Sequence, residues 1–191
     1  MNKTEMRNEN TMHIDKEPTS GILQLIQAEN FVAVRAVEAA LPAIERACDG
    51  IYERMKQGGR LIYMGAGTSG RLGVIDAVEC PPTYGVSQEL ISGIIAGGYD
   101  RMVTAAENAE DKGENGIKDL SVKNITALDT VFGISAAGNA AYVAEALQYA
   151  RELGALTIGS TVQEMSAAYA TFANDGVWRE PRLYTKIYNS D

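Results

Sequence analysis

The sequence predicts an α/β fold, a parallel sheet covered by helices on both faces. Three observations carry this. Short apolar runs recur at "RLIYMG", "LISGIIAGG", "TVFGIS" and "ALTIG". Between them lie stretches whose apolar residues repeat at three- and four-residue steps, the period of a helix packed on one side. Glycine-rich turns stand where a run gives way to a helix, the punctuation of strand, crossover helix, strand.

The elements follow in order. Residues 1–20, "MNKTEMRNENTMHIDKEPTS", are polar and charged, and are expected to form an arm that is disordered or clasps a partner. From Ile22 to about Lys56 the residues Leu23, Ile26, Phe31, Val34, Val37, Leu41, Ile44, Cys48, Ile51 and Met55 mark an amphipathic helix, broken or bent near Pro42. A strand at 61–65 leads through "GAGTSG" into a helix that "CPPTYG" is expected to stop. Then come a strand within 90–98, a helix through 100–120, a strand at 130–135, a helix from Asn139 to Leu153 and a strand at 155–159. This places one domain over 21–159.

In such sheets ligands sit beyond the carboxyl ends of the strands. Two loops occupy corresponding places there, "MGAGTSGRL" after the first strand and "ISAAGNAAY" after the third, so the site is expected between them. The first loop contains Gly65-x-Gly67-x-x-Gly70, the spacing of a dinucleotide fingerprint. The fingerprint also needs an acid after the second strand, and Glu89 precedes that run. A P-loop fails as well, because Arg71 and Leu72 stand where Lys and Ser or Thr are required. A glycine turn with Thr68 and Ser69 at a helix start remains. It suits a small phosphate ester held by free N–H groups, or a hydroxyl that only caps the helix.

Composition narrows the partners. The net charge of -8, with acids and bases interspersed, argues against nucleic acid or an anionic membrane as the main partner. Cys48 and Cys80 are too few for a disulfide framework, and the amino-terminal stretch lacks a signal peptide's apolar core. No apolar run approaches the ~18–20 residues of a bilayer span. A cytoplasmic protein is expected. The one histidine, His13, lies in the arm, so Cys80 has no triad-like setting and is read as a packing residue.

The run "GGRLIYMGAGTSGRLGVIDAVECPPTYGV", followed by "GIIAGG" and "ENAED", resembles the N-acetylmuramic acid 6-phosphate etherases of the sugar isomerase (SIS) domain superfamily. The resemblance covers about residues 7–159. It implies a three-layer SIS-type fold and a homodimer acting on a sugar 6-phosphate, with neither metal nor nucleotide cofactor. The implied reaction cleaves the D-lactyl ether to give N-acetylglucosamine 6-phosphate and D-lactate in the recycling of cell-wall sugars. It also implies catalytic roles for Glu79 in "DAVECPP" and Glu110 in "ENAED", one carboxyl group protonating the leaving lactate oxygen and the other removing the proton beside the sugar carbonyl. Glu79 is assigned as the acid and Glu110 as the base, with Glu107 in reserve. Gly67, Thr68, Ser69 and Gly138 are the expected phosphate-binding positions. Arg71 is left between the phosphate and an acid such as Asp76.

The chain departs from the family in two places. Where the family typically has Ser-Gly-Arg-Thr-Pro-Tyr, this chain reads Ala137-Gly138-Asn139-Ala140-Ala141-Tyr142, losing two hydroxyls and a guanidinium. Each lost charge-assisted bond to phosphate costs roughly 1.5–3 kcal/mol. Such losses open the alternative of a sugar-phosphate-binding module without catalysis. After Gly159, residues 160–191 resemble a fragment of a class A penicillin-binding protein's transpeptidase domain, without its catalytic motifs. The expectation is a SIS domain truncated on its carboxyl-terminal side and joined near Gly159 to a foreign tail. A third reading, a cell-wall interaction protein, rests on that tail.

Overall fold

The computed structural model describes residues 7–105, 108–161 and 187–188. Within them, α1 (Thr19–Lys56), β1 (Leu61–Gly65), α2 (Gly67–Tyr84), β2 (Ile91–Ile95), α3 (Gly113–Ser121), β3 (Thr130–Ser135), α4 (Ala141–Glu152), β4 (Leu156–Thr161) and β5 (Ile187–Tyr188) follow one another. The sheet order is β2-β1-β3-β4-β5; the first four strands are parallel, and β5 pairs antiparallel with β4. From residue 7 on, the arm expected over 1–20 forms two short 3-10 turns, Glu9–Thr11 and Ile14–Lys16, before α1 begins. The stretch 160–191 lies outside the described residues except at 160, 161, 187 and 188.

Alternating residues divide each strand between two layers. Ile62, Met64 and Val131 join Leu120, Tyr142, Val143 and Ala146 in the core beneath α3 and α4. Leu156 and Ile158 point the other way, against Ala43 and Ala47 of α1. The α2 helix covers this same face: an added Cβ at Gly73 would lie 2.6 Å from Tyr63 Cβ, and one at Gly93 would lie 2.7 Å from Val74 Cα. Burying a leucine or isoleucine contributes about 1.5–3 kcal/mol, so Leu156 and Ile158 anchor the carboxyl-terminal half of α1. Buried α1 residues are confined to Ala40, Ala43 and Ala47, while Leu23, Phe31, Val34 and Leu41 are exposed.

Two proline expectations need correction. The α1 helix runs through Pro42 unbroken, the donor that Pro42 lacks belonging opposite the carbonyl of the exposed Glu38, where water can serve. Nor does "CPPTYG" stop α2 at its cysteine. The helix takes in Pro81 and Pro82 and ends at Gly85, a left-handed residue (φ 67°) whose N–H donates to the carbonyl of Pro81.

The expected helix through 100–120 is mostly absent. Tyr99–Met102 is a 3-10 turn and α3 starts only at Gly113. Arg71 of α2 supplies the reason, since its Nε donates to the carbonyls of Arg101 and Met102 and its Nη2 donates to that of Thr104. A helix would need those acceptors for its own ladder.

The amino edge of the sheet is fastened by a buried acid. Asp129 accepts from the backbone N–H, Nε and Nη2 of Arg60, and from the N–H and hydroxyl of Thr126, at 2.8–3.1 Å. Arg60 Nη2 also donates to the carbonyls of Lys123 and Asn124. Backbone bonds from Thr130 to Arg60 and from Leu156 to Asp129 complete a tie among the starts of β1, β3 and β4.

Candidate functional site

The strand order places a switch point at the centre of the sheet. From β1 the chain moves to β2 on one side and then crosses back to β3 on the other, leaving a crevice above the carboxyl ends of β1 and β3. Gly65 is level with Ile134 in the register, so the loops after these strands open side by side, as the sequence leads one to expect.

In the first loop, glycine is required by contact. A Cβ on Gly70 would lie 2.5 Å from the carbonyl oxygen of Gly65 and 2.8 Å from Ile95 Cγ1, so the chain turns back closely upon its own strand. Gly67, with φ 54°, sits at the first helical position. Ala66 holds the N-cap and has no side-chain oxygen, so Thr68 and Ser69 lie within the first turn instead of capping it. The amides of Gly67, Thr68 and Ser69 precede the first bond of the helical ladder, Gly70 N–H to Ala66. Thr68 is exposed and Ser69 is buried. These donors and the helix dipole form a cradle for an anion. Gly70→Ala is expected to lower stability by roughly 1–3 kcal/mol, read as a fall in the urea midpoint; an unchanged midpoint would show that the turn opens freely.

The second loop is poorer in donors. Gly138 has φ 72°, its N–H donates to Ser135, and the Ser135 hydroxyl accepts from the N–H of Ala140. Ser135 is thus engaged in shaping the loop. Within the first turn of α4, the N–H of Tyr142 is taken by the carbonyl of Glu110. That bond carries the Glu110 backbone to the carboxyl edge of the sheet, and its side chain is exposed.

Glu79 is elsewhere. It is exposed on α2, 12 residues beyond Gly67, or roughly 18 Å along the axis at 1.5 Å per residue. The packing agrees, with Gly70 level with the carboxyl end of β2 at Ile95 and Val74 already level with mid-strand Gly93. One chain therefore gathers Gly67, Thr68, Ser69, Gly138 and Glu110 at one edge and leaves Glu79 far down the helix. Leu72, Ile75 and Val78 form an exposed apolar stripe on α2 beside it.

The neighbouring groups have structural work. Cys80 is buried, its thiol donates to the carbonyl of Asp76, and burial followed by the Asp76 charge pushes its pKa up, as suits a packing residue. Burial, and then hydrogen bonding to Asp76, raises the pKa of Tyr63. The phenol of Tyr142 donates to Asp119 at 2.8 Å, fastening α4 to α3, and burial raises its pKa first and this bond second. Arg71 forms no ion pair with Asp76 among the described contacts and clamps the 101–104 loop by its carbonyls.

A cavity of about 340 Å³ opens at the same edge, lined by Arg101, Asn108, Lys112 and Asn115 among others. Sequence reasoning passed over these residues. The available signal was a pair of cations inside the acidic stretch "DRMVTAAENAEDKGEN". No helix among the described residues is long and apolar enough to cross a membrane.

Comparison with known proteins adds an independent line. Residues 43–151 match the family model described as the glucokinase regulatory protein N-terminal SIS domain. An N-acetylmuramic acid 6-phosphate etherase from Clostridium beijerinckii is 53% identical over 163 residues, 85% of this chain and 54% of the relative. One from a Geobacillus species is 47% identical over 174 residues, 91% of this chain and 59% of the relative. The chain thus spans little more than half the length of the curated relatives it matches. The second similarity reaches past residue 159, and the comparisons lend no support to a transpeptidase fragment in 160–191. Among solved structures, a phosphoheptose isomerase from Francisella tularensis shares the fold, with a TM-score of 0.56 at 18% identity over 74% of each chain.

Proposed function

We propose, on the premise that the chain belongs to the family of the glucokinase regulatory protein N-terminal SIS domain, that it works as an N-acetylmuramic acid 6-phosphate etherase. The observation that carries this reading is a glycine turn with free amides at the sheet's switch point, with the Glu110 backbone tied to the same carboxyl edge, in a chain 53% identical to such an etherase. The amides of Gly67, Thr68 and Ser69 hold the 6-phosphate, with Gly138 at the neighbouring loop. Glu110 removes the proton beside the sugar carbonyl, and an acid gives its proton to the lactate oxygen as the C–O bond breaks. Water then adds across the resulting double bond, Glu110 returning its proton to carbon and the spent acid taking one from water.

The acid is Glu79 of a second copy. A hexose 6-phosphate held at Gly67–Ser69 is far too short to reach Glu79 of the same chain, roughly 18 Å away. The exposed stripe of Leu72, Ile75 and Val78 beside Glu79 suits a homodimer contact that brings this helix over the partner's crevice. A cytoplasmic location accompanies this reading, and the free thiols Cys48 and Cys80 suit it. Neither a metal nor a nucleotide cofactor enters the proposed reaction. The domain division at 21–159 remains part of the same proposal.

Incubation with N-acetylmuramic acid 6-phosphate, followed by measurement of D-lactate, tests the activity. Release well above that of a Glu79→Gln control is expected, and equal release by the two proteins would remove the enzyme claim. A second reading, a sugar-phosphate-binding module, is favoured by the absence of side-chain donors at Ala137, Ala140 and Ala141. It predicts saturable calorimetric binding of N-acetylglucosamine 6-phosphate with no lactate formed.

A further inference from the structure

The cavity lined by Gly97, Arg101, Asn108, Lys112, Asn115 and Tyr142 has no part in the phosphate cradle. Among the described residues its lining offers two cations and two carboxamides and no carboxylate, although the chain as a whole carries a net charge of -8. Among the described residues Arg101 Nε is buried without a hydrogen-bond partner, while its Nη1 is held by the Thr104 hydroxyl and the Ala105 carbonyl. The guanidinium is therefore fixed from one side with a donor unsatisfied, an arrangement that costs stability unless something accepts from it. The aliphatic part of Arg101 rests on Gly97, where an added Cβ would lie 3.0 Å from its Cγ. Asn108 holds a left-handed backbone (φ 58°) where it lines the cavity.

The cavity also adjoins the chemistry. Gly97 follows β2 and Tyr142 begins α4, so both lie at the carboxyl edge of the sheet. Glu110 falls between two lining residues, Asn108 and Lys112, and its carbonyl is bonded to the N–H of a third, Tyr142. An anion here would sit beside the proposed base, apart from a phosphate at Gly67–Ser69. The proposed substrate carries two anions at opposite sides of its ring, the 6-phosphate and the carboxylate of the ether-linked hydroxy acid.

We propose that this cavity binds the hydroxy-acid carboxylate, with Arg101 and Lys112 as its counter-charges and Asn108 and Asn115 as neutral donors. The inference rests on the etherase reading and deepens it. Carboxylate recognition by a fixed guanidinium and a second cation distinguishes the lactyl ether from the sugar phosphate without it, and orients the leaving group beside Glu110.

The test uses the full chain and free D-lactate, followed by the backbone amide signals of Gly97, Asn115 and Tyr142 in NMR titration. Saturable shifts with half-saturation on the order of 1–10 mM are expected. Lys112→Gln and Arg101→Gln should each raise that concentration about tenfold, with Arg101→Lys raising it less. N-acetylglucosamine 6-phosphate, which has no carboxylate, should move Gly67–Ser69 instead and keep its half-saturation in all three variants. The proposal is overturned if lactate leaves the cavity signals unmoved, if the variants bind lactate as well as the parent, or if they weaken both ligands alike. The two readings fail separately: lactate seated in the cavity with no ether cleavage overturns the etherase alone, and cleavage with a cavity indifferent to lactate overturns the carboxylate site alone.

Discussion

Glu110→Gln and Glu79→Gln are each expected to lower D-lactate release by about 10²–10⁴-fold, and a mixture of the two inactive proteins to recover about a quarter of the parent activity. The single losses follow from removing a group that moves a proton in the slow step. The recovery follows from the geometry. If Glu110 of one copy works with Glu79 of another, a dimer of the two variants holds one site with both carboxylates and one with neither. Random reassociation makes half of the dimers mixed. Recovery therefore reads out the roughly 18 Å between Glu79 and its own phosphate cradle. A mixture as inactive as its components, after exchange of subunits has been demonstrated, would place both acids in one chain's site and refute the shared arrangement.

The largest effect on stability is expected at the other edge of the sheet. Asp129→Ala removes the acceptor of five bonds and leaves the Arg60 guanidinium with only the carbonyls of Lys123 and Asn124. The Asp129 side chain is 2% exposed and that of Arg60 32% exposed, so the carboxylate is buried while water reaches the guanidinium. Losing a carboxylate with this many donors in a partly buried pair costs about 2–4 kcal/mol, measured as the loss in urea unfolding free energy. A loss under about 1 kcal/mol, the scale of a surface ion pair, would show that the tie contributes little.

The same residue gives the stability a pH dependence. Burial pushes the Asp129 carboxyl up, but hydrogen bonds from Arg60 and Thr126, with the Arg60 charge, more than offset this and hold it below its ordinary value. A depressed folded pKa means that the ionised form stabilises the fold. That contribution is complete above the unfolded value of about 3.9 and is lost as pH falls through the lower folded one. Acid titration of the parent should show a loss in this window that Asp129→Ala lacks. An equal loss in both proteins would assign it to other carboxylates.

How much of this was legible in the sequence depends on whether the information was local. The four parallel strands could be read because "LIYMG", "ISGII", "TVFGIS" and "LTIG" are short, largely apolar runs bounded by glycine or polar turns. The glycine loop could be read for a related reason, since Gly70 has no room for a side chain against Gly65. The 100–112 segment could not. Its apolar spacing suggests a helix, yet Arg71, some 30 positions away, draws off the carbonyls a helix would use. Glu79 and Glu110 were identifiable as types and positions, but nothing in residue spacing states that a helix axis separates them. Arg101 and Lys112 were hidden among acids, and spacing does not reveal that they line one cavity.

The long first helix has a consequence for how this protein's stability must be measured. Thr19–Lys56 extends about 57 Å, yet among the described residues its packing on the sheet runs over about Ala40–Ile51, with Leu23, Phe31, Val34 and Leu41 exposed. In the proposed dimer, apolar surface covered by a second copy stabilises the fold in proportion to the logarithm of protein concentration. Dilution then acts as a denaturant. The melting temperature becomes a property of the sample as well as of the chain, and amide exchange along 19–39 should quicken on dilution while exchange in β1 and β3 keeps pace only with global unfolding.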